Sequence, residues 1–65
     1  MPKYPNIHVQ LSGTDGNAYA ILGAVQKGLR DGGVDKDECD TFYSEATSGD
    51  YNNVIQTAIR WVDIT

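Results

Sequence analysis

The stretch from residue 13 to residue 31 constrains the fold more than any other part of the chain. It opens on Gly13-Thr-Asp-Gly-Asn17 and continues through Ala18, Ile21, Leu22, Val25 and Leu29, spaced at i, i+3, i+4, i+7 and i+11. That spacing lines one face of a helix with 3.6 residues per turn. The glycines predict a tight turn into the helix. Asp15 or Asn17 is placed to cap it, because a short polar side chain accepts from backbone N–H groups that lack a helical partner. Gly32 and Gly33, just past the last apolar position, predict its end. An apolar face this long must be covered, and the rest of the chain supplies the cover.

Upstream, Ile7, Val9 and Leu11 alternate with His8, Gln10 and Ser12. Period-two alternation with β-branched residues predicts a half-buried strand from Asn6. The residues before it form a lead-in, where Pro2 and Pro5 disfavour helix. Downstream, Asp35-Lys-Asp-Glu38 has the form of a capping box, with Glu38 expected to reach back to the cap N–H and Val34 placed as a hydrophobic staple. Cys39, Phe42, Tyr43 and Ala46 form the stripe of this second helix, and Ser48-Gly49 stops it. A third helix starts near Ser48 or Asp50, with Tyr51, Val54, Ile55, Ala58 and Val62 on its stripe and Ile59 beside them. Residues 61–65 read either as a last helical turn or as a short terminal strand. The strand reading gives the first strand a partner, which it needs in water. The expected fold is a small α+β domain of order β-α-α-α-β, one or two strands covered by three short helices.

Sixty-five residues predict one domain. A chain this short buries only about 60% of the surface its unfolded form exposes. Domains of this size usually add a disulfide, a metal or a partner subunit. The single cysteine, Cys39, excludes an internal disulfide, and one cysteine with one histidine, His8, cannot supply the four ligands of a standard zinc site. The expectation is no cofactor, no metal and a homodimer. No run of about 18 apolar residues predicts a membrane-spanning helix, and no apolar core follows Lys3 to make a signal peptide. An unpaired cysteine suits a reducing cytoplasm. The net charge of −4 speaks against direct binding to nucleic acid or anionic lipid, both of which call for a basic surface.

At Asp15-Gly-Asn-Ala18, Ile21-Leu-Gly23, Glu45-Ala-Thr-Ser-Gly-Asp-Tyr51 and Trp61-Val62, the chain resembles a group of short proteins of bacterial, phage and plasmid genomes. The resemblance spans about residues 4–63, and residues 45–51 are its most specific part. Members of the group often carry an acid where Asn52 stands and a more basic first helix. The resemblance implies a small cytoplasmic accessory protein of mobile DNA. It brings no activity with it, and no catalytic or binding residue is carried over.

Residues 13–17 open a helix, and a helix N-terminus can hold an anion. Neither G-x-x-x-x-G-K-[ST] nor G-x-G-x-x-G is present, and Asp15 repels phosphate. A tight turn with its cap is therefore the favoured reading. Binding or sequestering of a nucleotide or phosphate ligand through Gly13, Asp15 and Asn17 is the alternative. The acids from Asp31 to Asp50 miss the EF-hand spacing and read as the wet face of the second helix; imitation of the DNA backbone is the sharper alternative. His8 lies on the exposed side of its strand with no patterned nucleophile, and Cys39 sits on an apolar stripe as a small hydrophobe. Tyr4, Tyr19, Tyr43, Tyr51 and Trp61 either fill the core or mark a contact surface. Tyr19 lies off the first helix's stripe, beside Gly23. Gly23 and Gly28 each cost a helix about 1 kcal/mol relative to alanine, which points to close packing at one of them. The functional reading is a non-catalytic protein-interaction protein, accessory or regulatory, acting on a protein partner through a surface that includes Tyr19 and Gly23.

Overall fold

In the computed structural model, the described residues are 1–11, 13 and 16–65. They form strand β1 (Tyr4–Val9), helices α1 (Ala18–Asp31), α2 (Lys36–Ala46) and α3 (Tyr51–Trp61), and strand β2 (Val62–Ile64). The expected order holds, and the C-terminal residues take the strand alternative. β2 pairs with β1 in parallel. Parallel neighbours require a long crossover, and here all three helices provide it.

β1 begins two residues before the alternation predicts and ends at Val9 instead of Leu11. Pro5 therefore lies within a strand. It is tolerated because the ladder is interrupted there: Tyr4 is opposite Val62, whereas His8 is opposite the very next residue, Asp63. A proline in such a gap forfeits no ladder bond. The join is longer than the strands alone. Lys3 N donates to Arg60 O at 2.8 Å, Thr65 N to Val9 O at 3.0 Å and Leu11 N to Thr65 O at 3.2 Å.

The helix ends follow the side-chain chemistry. Asn17 caps α1 by accepting from Ala20 N at 2.8 Å; Asp15, the other expected cap, lies outside the described residues. At the far end Gly33 has φ +87°. Gly33 N donates to Arg30 O and Val34 N to Leu29 O, both at 3.0 Å, the paired closure that satisfies the last carbonyls. Asp35 caps α2 by accepting from Glu38 N at 2.9 Å. The Glu38 carboxylate, expected to reach back to the cap, instead accepts from the Tyr4 hydroxyl and from Lys3 Nζ at 2.9 Å. A cation and a phenol together outcompete one backbone N–H. Tyr4 is pushed up to about 12 by this hydrogen bond and by burial, and the same bond, with Lys3, holds Glu38 below the ordinary carboxylate range. Asp50 caps α3 by accepting from Asn53 N at 3.0 Å.

The core gathers Val9, four residues of α1 (Ile21, Leu22, Val25, Leu29), then Cys39, Phe42, Ala46, Val54, Ala58, Trp61 and Val62. The α1 stripe is buried as the spacing predicts. The α3 stripe holds at Val54, Ala58 and Val62, which are buried, and at Ile55, which packs against the core, but Thr57 is fully buried beside them and Tyr51 is half exposed. Trp61 is what widens the stripe to Thr57. Its ring meets Phe42 edge-on at 5.6 Å and Tyr4 at 6.0 Å. Its Nε1 donates to Glu45 at 3.2 Å, and Lys3 Nζ lies 4.3 Å from the ring centroid. Drawing Trp61 inward turns Val54, Thr57 and Ala58 inward with it, at i−7, i−4 and i−3. The Thr57 hydroxyl accepts from Arg60 at 3.1 Å. β1 rests directly on α1 at Gly28, where an added Cβ would lie 2.7 Å from Val9 Cγ2. Gly28, not Gly23, is thus the glycine of close packing. Among the described residues no helix is long and apolar enough to cross a membrane.

Candidate functional site

The first turn of α1 and the corner between α2 and α3 enclose a notch of 230 Å³. Ala18, Leu22 and Val54 give it an apolar floor, Tyr19 and Tyr51 wall it, and Asp50 stands at its rim. Tyr19 is 79% exposed and Tyr51 is 50% exposed. Tyr51 is held, since its hydroxyl donates to Gly16 O. Tyr19 projects freely from an ordered helix.

The corner that positions the notch is residues 45–51, and nearly every side chain in it has a structural task. Glu45 accepts from Trp61, and Ala46 is buried in the core. The Thr47 hydroxyl donates to Tyr43 O at 2.8 Å and that of Ser48 to Glu45 O at 2.7 Å, closing α2. Asn53 Nδ2 adds bonds to Glu45 O and Ala46 O at 3.0 and 3.1 Å. Gly49 lies against Asn53, where a Cβ would be 3.0 Å from Asn53 Cβ. Asp50 caps α3 and Tyr51 ties the corner to the loop before α1. Residues 45–51 are thus a helix–helix corner whose Thr47, Gly49, Asp50 and Tyr51 also line the notch.

Of the residues singled out from sequence, Tyr19 and Tyr51 line the notch. Gly23 lies one turn further along the same face of α1, exposed, with nothing within 4 Å of an added Cβ. Gly13 is exposed with φ +84°, as a tight turn requires. The side-chain oxygen of Asn17 is engaged in capping α1. Ser12, Thr14 and Asp15 lie outside the described residues. Tyr51 takes the contact-surface alternative, half exposed on the notch wall, and Asp50, legible in the sequence only as an acid at a helix start, joins it there.

Comparison with family models, curated proteins and solved structures returned no match to the chain.

The other candidate chemistry is dispersed. His8 Nδ1 lies 2.6 Å from Asp63 Oδ2 across the sheet, on its exposed face. Cys39 is 5% exposed and packed in the core. The acids of α2 are spread over separate partners: Asp40 pairs with Lys36 at 2.8 Å and Glu38 with Lys3. Among the described residues no three His, Cys, Asp or Glu side chains are grouped to hold a metal.

Proposed function

We propose that this chain is a non-catalytic protein-interaction protein that engages its partner through the notch between α1 and the α2–α3 corner. The observation that carries the reading is Tyr19, a large aromatic left 79% exposed on α1, beside an apolar floor. Aromatic side chains of this kind anchor interfaces because they bury large area at little conformational cost. The volume supports a side-chain anchor: 230 Å³ falls below the roughly 300–1,000 Å³ of small-molecule sites. The nucleotide alternative draws less support, since Asp50 puts a carboxylate on the rim and Asn17 is engaged in its cap. Titration calorimetry with nucleotides decides it: heat that saturates at one site favours the alternative.

The partner is a protein, with a second copy of the chain as the simplest case. The setting as a cytoplasmic accessory protein of phage or mobile DNA rests on the sequence resemblance alone. The test compares the wild-type chain with Tyr19→Ala, both confirmed folded by circular dichroism. Light scattering reads self-association, and affinity capture from host lysate reads any other partner. The reading requires Tyr19→Ala to lose at least tenfold in whichever association the wild type shows. Association that is unchanged in the variant overturns it.

A further inference from the structure

A second groove, of 490 Å³, opens between α1 and α2, lined by Gln26, Arg30, Val34, Lys36, Cys39 and Asp40. Its volume lies within the range of small-molecule sites. Its base is apolar: Cys39 is buried and Val34 half buried against the core. Its charges do not cancel. Lys36 Nζ and Asp40 Oδ2 close on each other at 2.8 Å, which leaves Arg30 as the uncompensated charge. Across the chain, Lys3 pairs with Glu38, Lys27 with Asp31, and Arg60 donates to Thr57. Among the described residues Arg30 alone of the five cations has no ion pair or hydrogen bond from its side chain. Asp31 feels its field, but that carboxylate is bonded to Lys27 at 2.7 Å. A guanidinium with its fork free over an apolar base matches a planar carboxylate, which it binds through two parallel N–H···O bonds. Gln26, one turn earlier on the same face of α1, adds an amide for a further polar group.

We propose that this groove binds a small amphipathic monoanion: a carboxylate held by Arg30, with a compact apolar body on Val34 and Cys39. The charge count selects the class. One uncompensated cation matches one negative charge, which leaves the second charge of a dianion such as a phosphate monoester without a partner. The assignment is independent of the notch and of any protein partner. A free acid and the end of a peptide present the same group, so both are probes.

The test is a heteronuclear NMR titration of the whole chain with 3-phenylpropionate, N-acetylphenylalanine, neutral 3-phenylpropanamide and phenyl phosphate. At least one of the two carboxylates is expected to saturate shifts of the amides of residues 26–30 and 34–40, with a Kd on the order of 1 mM or below. The tighter of the two names the source. The neutral amide is expected to bind at least tenfold more weakly, and added salt to weaken only the charged ligands. Arg30→Gln, an exposed position that leaves the fold intact by circular dichroism, is expected to lose at least tenfold, and Arg30→Lys to lose less. The proposal is overturned by any of four results: neither carboxylate binding, shifts mapping elsewhere, the amide or phenyl phosphate matching the carboxylates, or Arg30→Gln binding like wild type.

Discussion

At the scale of single residues, the two glycines inside α1 make opposite predictions. Gly23 faces open space, so Gly23→Ala gains helix propensity and is expected to raise stability by about 0.5–1 kcal/mol. Gly28→Ala gains the same propensity but drives a methyl to 2.7 Å from Val9 Cγ2. Overpacking of that kind costs about 1–3 kcal/mol, so the urea midpoint, followed by Trp61 fluorescence, is expected to fall. The Tyr4–Glu38 bond makes a prediction in pH. Tyr4 keeps its proton in the folded chain up to about 12, whereas an unfolded tyrosine loses it near 10. The folded state therefore binds more protons in that window. The stability from this bond is complete below pH 10 and is lost as pH rises from about 10 to 12. Glu38, held low, acts oppositely: its contribution is present above the ordinary carboxylate range and is lost in acid. Tyr4→Phe is expected to reduce the alkaline loss in a series of urea midpoints against pH, the remainder including Lys36, whose bond to Asp40 also raises its pKa.

At the scale of elements, the caps and stripes were legible in sequence because they are local. Asn17, Asp35, Asp50 and the Gly32-Gly33 stop act within one turn of their own positions, and each works as its pattern predicts. Asp50→Ala is accordingly expected to cost about 1 kcal/mol. Gly33→Ala, at φ +87°, is expected to cost roughly 1–2 kcal/mol; thermal denaturation followed by circular dichroism checks both. What sequence did not show was settled by residues far away in the chain. Glu38 turned from its cap because Lys3 and Tyr4 arrive from the other end. Thr57 joined the α3 stripe because Trp61 found Phe42 and Tyr4. β1 began early because the interrupted ladder opposite Val62 and Asp63 accommodates Pro5. The candidate site divided the same way. Tyr19 was visible as an aromatic off its stripe, but the notch beside it needs three elements, and no periodicity reports that.

At the scale of the whole molecule, the radius of gyration is 10.5 Å, against about 10.7 Å for a compact chain of this length. The compactness depends on the two ends meeting. β1 and β2 bring the most distant parts of the sequence together, and with them the lock of Lys3, Tyr4, Glu38 and Trp61. Removing residues 62–65 is expected to abolish cooperative urea unfolding, with the fluorescence of Trp61 shifted to that of a solvated indole at all concentrations. A sharp transition in the truncated chain would show that the helices stand alone.

Parallel pairing of the first strand with the last also governs how the protein is made. During translation Tyr4 and Val9 emerge early, yet their β mates follow only after all three helices have been made. Until β2 has emerged, β1 has no partner strand. A message stopped before Val62 is therefore expected to yield a fragment that proteases clear, not a folded competitor.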